Sequence, residues 1–178
     1  MKRVSVSVVA LVCVLAAATF AQAPAPKPLP EHQKLAAFAG NWNYSGEAKP
    51  SPFGPGGKVT GTDHNELLGG FFLVRHYDEK GPMGALKGVE VVGYDATKKT
   101  YTDTSFDSSG ASFAGTVTLN GNVWTFAGTS SMGGKSFQSR CALTMAMPAT
   151  SFTVKCDSSP DGSKWTPTFE GQWKKATS

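Results

Sequence analysis

The sequence predicts an all-β fold: a closed antiparallel up-and-down barrel of about ten strands preceded by one short helix. Three observations predict it. From residue 41 onward apolar and polar residues alternate almost everywhere, the period of a half-buried strand. Short turns rich in Gly, Pro, Asn and Asp separate the alternating segments, and several are strong hairpin signals. Trp42 opens the first alternating run just after Gly40, and Pro50-Ser51-Pro52-Phe53-Gly54-Pro55-Gly56-Gly57-Lys58 then forbids helix and sets the next hairpin. A meander this long keeps two exposed edges unless it closes on itself. An open sandwich is the competing architecture, but Greek-key crossings need longer connections than most of those present.

The chain begins with a cationic Met1-Lys2-Arg3, an uncharged and mostly apolar run from Val4 to Phe20, and a small-x-small pattern at Ala21-Gln22-Ala23. Residues 1–23 read as a secretory signal peptide cut after Ala21 or Ala23. The apolar run is short against the roughly 20 residues of a membrane-spanning helix, so no stable membrane span is expected after cleavage. Pro24 to Pro30 is a proline-rich linker, extended because its prolines exclude helix and interior strand. One domain follows, over residues 31–175. It opens with a helix from Glu31 to Ala39, with Leu35 and Phe38 on one side and Gly40 ending it. Strands are expected near 41–48, 58–68, 71–78, 87–94, 100–107, 111–118, 122–129, 135–146, 151–158 and 164–174. The first and last, around Trp42 and Trp173, become neighbours when the sheet closes. A secreted or periplasmic location follows from the leader.

Removing Lys2 and Arg3 with the leader lowers the formal charge from +4 to +2, and the lysines are scattered through turns. Nothing there resembles a nucleic-acid footprint. HExxH, CxxC and GxSxG are absent, and Gly133-Gly134-Lys135-Ser136 fails the phosphate-loop pattern because Thr129 stands where its first glycine belongs.

Residues 31–58, with Lys34-Leu35, Phe38-Ala39-Gly40-Asn41-Trp42 and the Pro/Gly-rich run ending at Lys58, resemble a bacterial family, the domain of unknown function numbered 1579, often found as secreted small proteins. Leu68 to Val74, Gly81-Pro82-Met83-Gly84, Gly93-Tyr94-Asp95, Phe106 to Gly110, Met132 to Lys135 and Asp161 to Trp165 extend the resemblance over nearly the whole domain. It implies a lipocalin-like (calycin-like), fatty-acid-binding-protein-like barrel and brings no established activity. In lipocalins a Gly-x-Trp motif like Gly40-Asn41-Trp42 closes the base beneath an arginine of the last strand. Here that strand offers Trp173, Lys174 and Lys175 and no Arg.

A turn centred on Pro148-Ala149 puts Cys141 across from Cys156, Leu143 across from Val154 and Met145 across from Phe152, with Arg140 on the opposite, polar face. In an exported protein the two cysteines can oxidise to a cross-strand disulfide. The alternative is a pair of free core thiols packed as small hydrophobes.

The polar residues of the second and third strands form one constellation. A turn centred on Gly69-Gly70 sets His64 opposite Arg75, with Glu66 one step along, and Asp63 opposite His76 on the other face. Either face brings an ionisable pair into the lumen if it turns inward; otherwise the pair sits at a solvated rim. Arg75 alternates with Phe71, Leu73 and Tyr77, a run apolar enough to face the lumen, and would then need Glu66, water or an anionic head group as partner. A lumen site of Arg75, His64, Glu66, Tyr77, Trp42 and Tyr44 would take a small hydrophobic or carboxylate-bearing molecule, with Arg75 receiving a carboxylate by a bidentate bond. On that reading Arg75→Met weakens fatty-acid binding by about 2 kcal/mol and leaves stability unchanged or raised. His32, His64 and His76 all lie in the N-terminal half without ligand-like spacing, and the haem-binding barrels use a histidine near the C-terminus, so neither cofactor nor metal is expected. Two classes remain. One is a non-enzymatic carrier or sensor of a small apolar molecule; the other is an enzyme on a small lipophilic or carbonyl substrate using His64, Glu66 and Arg75.

Overall fold

The structure is a computed structural model that describes residues 26–177. The leader expected over residues 1–23 lies outside the described residues. Pro30 at the first helical position, where its missing N–H costs nothing, starts a single α-helical turn, α1 (Pro30–Lys34). A 3₁₀ turn over Leu35–Phe38 continues it, so the helix expected to run to Ala39 tightens before it ends at Gly40, whose φ is +107°. The carbonyl of Phe38 accepts from the Trp42 indole N–H at 2.8 Å and from Asn65 Nδ2 at 3.0 Å. The Glu31 carbonyl accepts from the Tyr101 hydroxyl at 2.9 Å. Carbonyls left over at the end of a short helix are thus satisfied by the barrel wall, which fixes the helix across one end of it.

Ten strands follow: β1 (Gly40–Ala48), β2 (Gly57–Leu68), β3 (Phe72–Gly81), β4 (Gly84–Asp95), β5 (Thr100–Asp107), β6 (Ser112–Asn120), β7 (Val123–Met132), β8 (Lys135–Met145), β9 (Ser151–Ser159) and β10 (Thr166–Lys175). Each pairs antiparallel with its neighbours in sequence, and β1 pairs with β10, so the sheet is a closed up-and-down barrel. Tyr44 lies opposite Trp173, and Trp42 opposite Lys175. The ammonium of Lys175 sits 5.5 Å from the centre of the Trp42 ring.

Two hairpins differ from the sequence expectation. The β2–β3 connection uses three residues, Gly69, Gly70 and Phe71, rather than the glycine pair alone, because Phe71 turns in against the buried His32 ring (5.1 Å between centres) instead of beginning the strand. Asn65 therefore faces Arg75, and His64 faces His76. A one-residue shift in an alternating strand exchanges its faces, and here it decides which polar residues enter the lumen. The β3–β4 hairpin is also longer than expected. Pro82-Met83 makes a two-residue turn between Gly81 and Gly84, and Glu79 and Leu86 pair within the ladder rather than lying in a loop. The β8–β9 register has Cys141 opposite Cys156, Leu143 opposite Val154 and Met145 opposite Phe152, and a disulfide joins the two cysteines.

The core is concentrated at the helix end. Leu35, Phe38, Trp42, Trp124, Phe152 and Trp173 are buried there in edge-on and stacked contacts, which makes that half of the barrel solid. Connections β1–β2, β3–β4, β5–β6, β7–β8 and β9–β10 lie at the opposite end and form the mouth. Among the described residues no helix is long and apolar enough to cross a membrane.

Candidate functional site

Between the solid base and the mouth lies a cavity of about 420 Å³. Its floor is a polar layer built from inward positions of four consecutive strands: Asp63 on β2, Arg75 on β3, Glu90 on β4 and Asp103 on β5. The Arg75 guanidinium donates from Nη1 to Glu90 Oε2 at 2.7 Å and from Nη2 to Asp63 Oδ1 at 3.0 Å, while Nε lies 3.0 Å from Asp63 Oδ2. Asp63 Oδ2 also accepts from the Trp173 indole N–H at 2.8 Å. The Asp63 side chain is only 1% exposed, against 23% for Arg75 and 16% for Glu90. Such a charge survives away from water because several donors converge on it.

Aromatic rings complete the setting. The guanidinium carbon lies 4.7 Å from the Tyr77 ring centre, 5.9 Å from that of Trp173 and 6.0 Å from that of Tyr44. Tyr44 is stacked on Trp173 at 4.6 Å, and its hydroxyl donates to Glu79 Oε2 at 2.9 Å. Glycines across the ladder let both tyrosines lie flat against the wall. A Cβ on Gly61, opposite Tyr44, would come within 2.3 Å of its ring, and one on Gly88, opposite Tyr77, within 2.2 Å. The lumen stays open because the wall is thin at these points.

Electrostatics follow from the same geometry. Burial opposes the charge on Arg75, but Glu90 and Asp63 outweigh it and raise its pKa. Burial raises Asp63 in spite of Arg75, and raises Glu79 in spite of the Tyr44 hydroxyl. Tyr77 is pushed up to about 12, chiefly by burial. Asp103 moves most among the carboxyls, pushed up to about 9 by burial and then by the adjacent Glu90. The upward shift favours the protonated acid, whose O–H can donate to the Glu90 side chain beside it. The opposite wall is milder: Ser130, Ser139 and Ser158 are linked at 2.8 and 3.4 Å. Above the floor, Leu86, Phe113, Phe126, Val154 and Phe169 give the cavity apolar sides.

Of the residues expected to form a lumen site, Arg75 and Tyr77 line the cavity. Tyr44 stands behind Arg75, and Trp42 is sealed in the base against Phe152 at 4.9 Å; neither lines it. His64 and Glu66 are on the outer face, a correction that follows from the three-residue β2–β3 turn, and His64 Nδ1 is 2.7 Å from Asn41 Oδ1 outside the barrel. The His64–Glu66–Arg75 constellation is therefore not assembled. Arg75 finds its partners in Asp63 and Glu90 instead of Glu66. Asp63, expected opposite His76, joins the floor opposite Tyr77 instead, and the floor residues missed by sequence reasoning are Asn65, Glu79, Glu90 and Asp103. Their signal is an acid recurring at the apolar parity of several successive strands, as in Val59-x-Gly61-x-Asp63-x-Asn65-x-Leu67.

Fold and site together define a closed antiparallel β-barrel with one end filled and a single polar layer beneath a cavity. Residues 27–175 match the family described as Protein of unknown function (DUF1579), and the chain belongs to that family. No curated protein matches it. Among solved structures it is similar to Rv2717c from M. tuberculosis, with a TM-score of 0.63 and 13% identity over 85% of this chain and 100% of that one. A de novo designed fluorescence-activating β-barrel is also similar, with a TM-score of 0.46 and 13% identity over 81% of this chain and 98% of that one. At these identities the likeness is one of fold.

Proposed function

We propose that this is an exported, non-enzymatic binding protein that holds a small apolar or amphipathic molecule in the barrel lumen, as a carrier or sensor. The observation that carries the reading is the 420 Å³ cavity, beside which Tyr77 lies flat over Gly88. Its volume falls within the ~300–1,000 Å³ of small-molecule sites, and its plan is theirs, apolar walls around a few converging polar groups. Arg75 and Tyr77 are the residues of the expected set that meet the ligand, with Asp63, Glu90 and Asp103 beside them. Export is supported by the leader pattern of residues 1–23 and by the Cys141–Cys156 disulfide, a bond that persists in oxidising compartments.

Native mass spectrometry of protein purified without detergent tests the reading. The expected result is a small-molecule adduct that is lost on denaturation, or uptake of added octanol. A bare mass that octanol does not change refutes it.

A further inference from the structure

The floor of the lumen is unbalanced in both charge and hydrogen bonding. Among the described residues, Arg75 is the one cation on the floor; Arg140 also borders the cavity, but its guanidinium is held by Asp157 (2.9 Å) and lies over the Trp165 ring. Against Arg75 stand five carboxyl groups that line the cavity: Asp63, Glu79, Glu90, Asp103 and, nearer the mouth, Asp107. With Asp103 protonated the surplus is still negative.

Several of the floor's donors are also committed. The Arg75 fork serves Asp63 and Glu90, the Trp173 indole serves Asp63, and the Tyr44 hydroxyl serves Glu79. Among the described residues three buried side-chain atoms have no hydrogen-bond partner: Arg75 Nε, which still lies 3.0 Å from Asp63 Oδ2 as an ion pair, and two acceptors. Asn65, 4% exposed, and Asp103, 3% exposed, both line the cavity, and the Oδ1 atom of each receives no hydrogen bond. The Asn65 amide cannot turn round to offer its nitrogen, because Nδ2 already donates to the Phe38 carbonyl at 3.0 Å. Buried acceptors without donors are costly, so a ligand that supplies donors relieves the site. A carboxylate would bring more acceptors and a further like charge to a floor already rich in carboxyl groups. The carboxylate-bearing ligand expected from Arg75 alone is therefore disfavoured.

Resting on the proposed lumenal binding, we propose that the ligand's polar head is a hydrogen-bond donor carrying positive charge, an amine in its ammonium form, seated on the acceptor-rich floor of Asn65, Glu90 and Asp103, with its hydrocarbon part along Leu86, Phe113 and Phe126. A metal ion fits less well: among the described residues no group of three or more His, Cys, Asp or Glu side chains is arranged to hold one.

The test compares three probes of equal chain length, octylamine, octanol and octanoate, titrated calorimetrically into the exported protein near neutral pH. Octylamine is expected to bind roughly tenfold or more tightly than octanol, and octanoate most weakly, the size of a hydrogen bond to a charged group. The positive net charge of the protein surface works in the opposite direction, so non-specific attraction cannot produce this order. Asp103→Leu is expected to reduce the octylamine-to-octanol preference to within about threefold while octanol still binds. Octanol or octanoate binding as tightly as octylamine, or a preference unchanged in D103L, overturns the amine assignment and leaves lumenal binding standing. Failure of all three probes overturns both.

Discussion

Replacing Arg75 with Met is the perturbation whose outcome depends most on the polar floor. Methionine keeps the side-chain volume against Tyr77 but removes the fork, leaving Asp63 with a single donor, the Trp173 indole, and leaving Glu90 beside Asp103 without its cation. Removing one partner of a buried pair costs about 3–5 kcal/mol, because the other charge is left uncompensated. Arg75 is 23% exposed toward the cavity and Glu90 16%, so lumenal water relieves Glu90 in part, whereas Asp63 at 1% gains little. A loss of about 2–4 kcal/mol is expected, which for a domain of this size lowers Tm by roughly 5–15 °C. This reverses the expectation drawn from the sequence, where Arg75 pairs with Glu66, water or an anionic head group and its replacement by Met leaves stability unchanged or raised. The loss is expected to be larger at about pH 8 than at pH 5. Without Arg75 the folded-state pKa of Asp63, already raised, rises further, so its contribution is lost as pH climbs through that value. Asp63→Asn in the same chain keeps an acceptor for Trp173 and removes the stranded charge, so R75M/D63N is expected to recover at least half of the deficit. Urea denaturation followed by tryptophan fluorescence measures all three proteins. An R75M protein within about 0.5 kcal/mol of wild type, or a double variant no better than the single one, refutes the reasoning.

Asp103 sets a pH dependence of defined sign. Its folded pKa of about 9 lies above the ordinary 3.8, so between those values the folded state holds a proton that the unfolded chain has lost. That stability is complete below about pH 4 and lost as pH rises through about 9. Asp103→Asn is expected to flatten the decline in urea midpoint between about pH 5 and 9, and a wild-type-to-variant difference that does not change with pH contradicts it. Gly88→Ala puts a Cβ 2.2 Å from the Tyr77 ring and drives it off the wall, so a loss of about 1–3 kcal/mol is expected by the same assay; unchanged stability would show that the ring has room elsewhere. Material taken from an oxidising compartment is expected to show Cys141 and Cys156 protected from alkylation until reduced, with reduction costing at most about 3 kcal/mol; two thiols alkylated without reductant would contradict the bond.

The barrel was legible because its signals are local and repeated: alternation, short turns, and an aromatic at the start of the first strand. The β8–β9 register was legible too, since the turn at Pro148-Ala149 and the burial of Leu143, Val154, Met145 and Phe152 agree on one answer. The floor was not, and the cause is a single residue. Phe71 has every local reason to start β3, and only the buried His32 of the preceding helix explains why it joins the turn. That contact is long-range, and its consequence is that Asp63 and Asn65 enter the lumen while His64 and Glu66 leave it. Glu90 and Asp103 lie on strands whose inward parity depends in turn on closure of the whole sheet. An arginine among apolar residues suggests an empty anion site until its neighbours across two strands are known. Once they are, it reads as the internal counter-ion of an acidic floor.

The four tryptophans test lumenal binding most directly. Trp124 and Trp173 line the cavity, Trp42 is sealed in the base, and Trp165 lies outside the barrel wall over Arg140. A ¹⁵N-resolved NMR titration with octylamine reads each indole N–H separately. Saturable shifts are expected at Trp173, whose N–H donates to Asp63, and at Trp124, with Trp165 unmoved. Shifts confined to Trp165, or none at any indole at saturating ligand, would contradict a lumenal site.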